Sequence, residues 1–189
     1  MSTVIALAGR RIDAPNAEMV RFPLETVAVV RSRLREVFLR YDVVALVCSA
    51  ACGADLLALE VASDLAVRRV VVLPFDTATF RAVSVIDRPG GEETWGPLFD
   101  RVIMSLPDND LIVLRGAAEL NAAFAAANGR ILSVAQSLGD TLSAQLLAVI
   151  VWDGARRGSD DLTAQFADDA REHGVTREEL STKLQADDP

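Results

Sequence analysis

Two cysteines, Cys48 and Cys52, are the only thiols in this 189-residue chain. Two sulfurs cannot build a disulfide framework and are too few for a four-ligand zinc site. The lone histidine, His173, is far from both in sequence, so a Cys–His catalytic pair has no supporting spacing. No metal-ligand set and no organic cofactor is assigned, and the residues neither require nor exclude Mg²⁺. The longest apolar run covers residues 146–152, against about 20 residues for a membrane-spanning helix, so no membrane association is expected. The first residues carry no basic stretch followed by an apolar region and a small-residue cleavage site, which predicts a cytoplasmic protein. Positive charge is also scarce. Nineteen basic residues against 27 acidic ones give a net charge of −8, which disfavours a broad nucleic-acid footprint.

What is present is globular. Hydrophobic residues make up 51% and charged residues 24%, and the length suits one domain. Charge is uneven: residues 1–40 hold seven arginines against four acids, whereas residues 159–189 hold nine acids against three basic residues. The basic half can focus a small anion locally even though the whole chain is acidic.

Short apolar runs at residues 3–8, 43–48, 69–74, 110–114 and 146–152 predict five buried strands. Between them lie helical patterns at 24–40, 53–66, 98–106, 117–138 and 161–173, with Gly139 and Gly174 as expected stops. Residues 75–97 show no clear period and are expected to form an irregular functional loop. The last fifteen residues are expected to form a short helix and a frayed tail. Near-continuous apolar strands alternating with helices predict an α/β, Rossmann-like, doubly wound and mainly parallel sheet of about five strands with helices on both faces. In such sheets the ligand sits beyond the C-terminal strand ends, at the switch in strand order.

The residues following the strands are therefore the candidate site. After the first strand come Gly9, Arg10 and Arg11, where glycine permits close backbone approach and arginine pairs with phosphate. This is neither a G-x-G-x-x-G fingerprint nor a Walker A loop. After the second strand, Ser49, Ala50, Ala51, Cys52, Gly53 and Ala54 have small side chains and lead into a helix whose first turn holds Asp55. Open amides at a helix N-terminus suit a phosphate, and Asp55 suits either a helix cap or ribose hydroxyls. Glu60 follows on the same helix. The irregular segment offers Arg81, Ser84, Asp87 and Arg88 together with Phe75, Phe80 and Trp95, a set that suits a purine and its phosphates or a local core. After the fifth strand, Asp153 and Gly154 lead to Thr163 at another helix start.

Taken together, Gly9-Arg10-Arg11 after the first strand and the Ser49–Glu60 stretch S-A-A-C-G-A-D-L-L-A-L-E resemble the SLOG superfamily, which includes the DNA-processing protein A group and the Lonely-Guy type phosphoribohydrolases. Arg21-Phe22-Pro23, Leu73-Pro74-Phe75, Ala127-Asn128 and the stretch from Val151 to Gly154 resemble stand-alone or fused bacterial SLOG domains found beside signalling modules. The resemblance implies one nucleotide-binding domain over residues 1–175 with an acidic tail over 176–189. It places Gly9, Ser49, Gly53 and Asp55 at nucleotide-cradle positions, and it implies homodimers or signalling-protein partners. Pro89-Gly90-Gly91 starts like the phosphoribohydrolase motif, but Glu92-Glu93-Thr94 follows without the second glycine, and it is not assigned.

The function expected is binding or sensing of a nucleotide or nucleotide-derived signal. The alternatives are N-glycosidic hydrolysis of a nucleotide with Glu60, Asp55 or Asp153 at the reacting centre, and a partner-docking domain with a vestigial pocket. Arg10→Ala and Gly53→Val are expected to weaken binding without unfolding the chain.

Overall fold

Val4, Ile5, Ala6 and Leu7 are consecutive, and none of them reaches solvent. Successive strand side chains point to opposite faces, so both faces of this strand must be covered. The structure, a computed structural model describing residues 1–115 and 119–184, shows how. Six strands form one sheet: β1 Thr3–Gly9, β2 Val43–Cys48, β3 Arg68–Leu73, β4 Leu111–Val113, β5 Gln145–Trp152 and β6 Thr176–Ser181. All pairings are parallel, in the order β4-β3-β2-β1-β5-β6. The chain moves outward from β1 to β4, then returns across the sheet to β5. The order therefore reverses between β1 and β5.

The alternate strand residues sort into two cores. On one face Ile5, Leu7, Leu46, Val71 and Val149 pack with helices α1 (Val27–Arg40), α2 (Ala54–Asp64), α3 (Thr77–Ser84) and α4 (Gly96–Met104), through residues such as Leu34, Leu56, Phe80 and Phe99. On the other face Val4, Ala6, Val47, Val72 and Ile150 pack with α5 (Leu120–Leu142) and α6 (Leu162–Glu172), through Ala127, Ile131, Ala135 and Phe166. The doubly wound α/β expectation is met. The alanines of α5 let that helix lie close to the alanines of the sheet, and its 23 residues, at 1.5 Å rise each, suffice to cross β3, β2 and β1 on the way to β5.

Three local expectations are corrected. The sheet has a sixth strand, β6, where a helix and tail were expected. Its residues T-R-E-E-L-S carry one aliphatic side chain, Leu180, which is buried. An edge strand needs apolar residues only on its inner face. The charges here have partners: Arg40 and Tyr41 contact Glu178, and Trp152 Nε1 donates to Glu179. Residues 185–189 of the expected tail, and the first two of the helix expected from 117, lie outside the described residues. The segment 75–97 is largely helical. Asp76 caps α3 by accepting from the Thr79 N–H at 2.9 Å, and a π-helical turn, Gly91–Trp95, leads into α4. Gly139 does not stop α5, which runs on until Ser143 takes the left-handed conformation at φ 52°.

Candidate functional site

The C-terminal strand ends and the loops leaving them enclose a cavity of about 810 Å³ beside the switch point. That volume lies in the range of small-molecule sites, about 300–1,000 Å³. Leu7, Ala8 and Gly9 of β1 line it, as do Ser49 and Ala51 after β2 and Asp55 in the first turn of α2. Phe80 and Ser84 of α3, with Arg88 beyond it, form another wall. The N-terminal half of α5 contributes Leu120, Asn121, Phe124, Asn128 and Ile131, and the start of α6 contributes Leu162 and Thr163. The loop from Asp13 to Met19, with Arg21 and Arg157, completes the lining.

Of the residues singled out from sequence, Gly9, Arg11, Ser49, Asp55, Arg88 and Thr163 meet at this cavity. Arg11 Nη2 pairs with Asp87 Oδ1, and Arg88 Nε lies 3.5 Å from Asp87 Oδ2, so one carboxylate sits between two guanidiniums. Burial opposes the charge of Arg11, but the Asp87 carboxylate beside it offsets that and raises its pKa; Cys52 is a buried thiol whose own pKa is pushed up, so it stays neutral. Asp55 is 7% exposed, and the N–H of Ala51 donates to its Oδ2 at 3.2 Å. Burial pushes this carboxyl up to about 7, against the pull of the Ala51 N–H and of Arg11. A buried carboxyl that titrates near neutrality beside a cavity is suited to holding or moving a proton.

Other expected site residues are placed elsewhere. Arg10 is 2% exposed and its guanidinium is fully engaged. Nη1 and Nη2 bond the two Asp161 oxygens at 2.6 and 2.8 Å, Nε bonds Asp153 at 3.1 Å, and Nη2 also bonds the Ala155 carbonyl. Asp153 also accepts from Arg21 at 2.7 Å. Arg10 and Asp153 therefore form a buried ionic tie between the ends of β1 and β5, and neither lines the cavity; nor does Gly154. Asp161 caps α6 by accepting from the N–H groups of Thr163 and Ala164. Burial would raise its pKa, but these bonds and Arg10 outweigh that and hold it at about 2.

Ala50, Cys52, Gly53 and Ala54 also lie off the cavity, for a backbone reason. The α2 N-terminus was expected to offer open amides, but the protein's own acceptors take three of them: Ala51 N–H goes to Asp55, Cys52 N–H to the Ser84 carbonyl, and Ala54 N–H to the Arg10 carbonyl. Gly53, at φ +99°, is pressed against Arg10, where an added Cβ would lie 2.8 Å from the Arg10 carbonyl oxygen. Gly9 is likewise a packing glycine, with a Cβ position 2.4 Å from that of Ala54. Arg81 turns to Asp100 and Glu92. Glu60 lies outside the cavity on α2, where Arg31 pairs with it and Arg101 approaches to 3.9 Å. Of the three acids proposed for catalysis, only Asp55 faces the site.

Sequence reasoning missed the α5 wall. Leu120, Phe124, Asn128 and Ile131 follow helical spacing, so a signal existed, but no motif marks the end of β4 as it does for the other strands. The loop from Asp13 to Phe22 was missed as well. Asp13 pins its neck by accepting from the N–H groups of Arg21 and Phe22, and the Asp13 N–H donates to the Phe22 carbonyl. Phe22 is fully buried beneath it.

Among the described residues, no helix is long and apolar enough to cross a membrane. No protein-family model matches the chain, and no curated protein is similar to it in sequence.

Proposed function

We propose that the chain binds a nucleotide or nucleotide-derived small molecule in the cavity at the β1/β5 switch point, as a SLOG-like domain. One observation carries this reading: a ligand-sized cavity in which arginines stand against an aromatic and aliphatic wall, at the place where doubly wound sheets take ligands. Arg11, Arg21, Arg88 and Arg157 line it against Asp13, Glu18 and Asp55, and Asp13 is already committed to backbone amides. In a chain of net charge −8, four arginines gathered on one lining, with Asp87 beside Arg11 and Arg88 and Asp153 beside Arg21, offer an anion several donors at once. Phe124 stands edge-on to Phe75 with ring centroids 5.5 Å apart, and 6.4 Å from Phe80. Of these rings Phe80 and Phe124 line the cavity and give a flat, apolar group a wall to lie against, with Phe75 backing Phe124.

A second reading has a specific basis. The position of Asp55 favours hydrolysis of an N-glycosidic bond, with Asp55 as the proton-handling carboxyl.

Both readings are tested by one panel of nucleoside monophosphates, cyclic nucleotides and NAD, followed by thermal shift and product analysis. At a ligand concentration 100-fold above Kd, Tm is expected to rise by about 5–10 °C for at least one compound. Phe124→Ala is expected to weaken that compound about 10-fold. Release of free base that is lost in Asp55→Asn assigns the hydrolase. A panel that leaves Tm unchanged contradicts both readings and favours a docking domain.

A further inference from the structure

Four polar side-chain atoms on residues lining the cavity are withdrawn from solvent and lack a hydrogen-bond partner: Arg11 Nε, Arg88 Nε, Ser49 Oγ and Ser84 Oγ. Among the described residues only one other side-chain atom is in this state, Glu60 Oε2; Arg31 supplies it with an ion pair, as Asp87 does for Arg88 Nε at 3.5 Å, so Arg11 Nε, Ser49 Oγ and Ser84 Oγ are the cavity atoms with neither a hydrogen bond nor an ion pair. Buried polar groups in folded proteins are normally paired. Their concentration around one cavity therefore marks a place where a partner is missing.

The chemistry of the four atoms describes that partner. Guanidinium N–H groups only donate, and hydroxyls can donate. Two of the four belong to cations that are already adjacent, because Arg11 and Arg88 share Asp87. Ser84 is fully buried, and it lies one helical turn beyond Phe80 on α3, so this corner adjoins the aromatic wall. A phosphate monoester carries negative charge and accepts several hydrogen bonds at once from different directions, which suits this donor set. We propose that the corner formed by Arg11, Ser49, Ser84 and Arg88 is a phosphate subsite, which takes the phosphate monoester of the ligand while the rest of the molecule lies along Phe80 and Phe124. The proposal rests on the nucleotide reading above.

Ser84→Ala separates this role from a structural one. A serine that holds the fold together loses stability when its hydroxyl is removed. A hydroxyl kept for an absent ligand does the reverse: its removal relieves an unsatisfied buried group, so Tm of the free protein is expected to hold or to rise by about 2–4 °C. Arg88→Gln is the second variant. Thermal shift and calorimetric titration compare inorganic phosphate with four nucleoside monophosphates, each paired with its nucleoside. The wild type is expected to bind at least one monophosphate 10-fold or more tightly than its nucleoside, and this advantage is expected to vanish in both variants while nucleoside binding is kept. Stabilisation by inorganic phosphate that is lost in both variants supports the same subsite for a free anion.

Monophosphate binding that is equal to nucleoside binding, or whose advantage survives both variants, overturns the subsite and leaves the nucleotide reading standing. A wild type that binds none of the phosphates or nucleosides overturns both. A fall in the Tm of free Ser84→Ala by several degrees returns Ser84 to the core and also overturns the assignment.

Discussion

Asp55 holds a carboxyl almost out of water with one backbone hydrogen bond, and the cost of that arrangement depends on pH. In the unfolded chain the group ionises near its usual value of 3.8, whereas in the folded chain it does so at about 7. Between those values the folded state keeps a proton that the unfolded state has lost, so stability falls as pH rises through this window and levels off above about 7. Asp55→Asn keeps an acceptor for the Ala51 N–H and removes the titration. Chemical denaturation is expected to show the variant more stable than wild type at pH 8, by on the order of 3 kcal/mol, with the difference shrinking toward pH 4. A variant less stable than wild type at pH 8 contradicts the burial argument. A carboxyl that destabilises the fold at neutral pH is the kind of group retained for a ligand. From sequence Asp55 was legible as a helix-start acid facing the site, but its near-neutral pKa was not, because that depends on the depth of burial created by α2 packing under β1 and β2.

At the scale of elements, the two helix starts nearest the switch point are closed by the protein itself. Asp161 caps α6 and carries Arg10 in bidentate contact, while Gly53 brings the α2 start against the Arg10 carbonyl. Arg10 thus ties three segments, and the effects expected of Arg10→Ala and Gly53→Val change from binding to stability. Arg10→Ala leaves Asp161 buried without its countercharge and is expected to cost about 3–5 kcal/mol. Gly53→Val forces a β-branched residue into positive φ and against a carbonyl, and is expected to destabilise by a few kcal/mol in the same denaturation assay. Wild-type stability in either variant contradicts the structural reading. Asp161 adds a pH signature of the opposite sign to that of Asp55. Held at about 2, it stabilises the fold above its unfolded value, and that stability is lost as pH falls from about 4 through about 2. Sequence could place Arg10 and Arg11 after β1 but could not tell them apart. Adjacent residues at a strand end point to opposite sides, and only the sheet order showed that Arg10 faces the β5 loop while Arg11 faces the cavity.

For the molecule as a whole, the five apolar runs were readable because a strand buried on both faces must be apolar throughout. β6 escaped the same test because an edge strand joins the sheet through its backbone and needs only Leu180 inside. The site was half readable for a related reason. Gly9, Arg11, Ser49 and Asp55 follow strands whose ends carry small or charged residues, whereas Phe124, Asn128 and Ile131 reach the cavity only because α5 crosses the sheet on its way from β4 to β5. That crossing reverses the strand order beside β1 and opens the cavity there. Whether this opening receives a phosphorylated ligand is decided by the electron density of crystals grown with the nucleotide panel. Density is expected between the α5 wall and the ends of β1 and β2, with a phosphate within hydrogen-bonding distance of Arg11 or Arg88. Density confined to another surface, or an unfilled cavity at saturating nucleotide, would contradict that expectation.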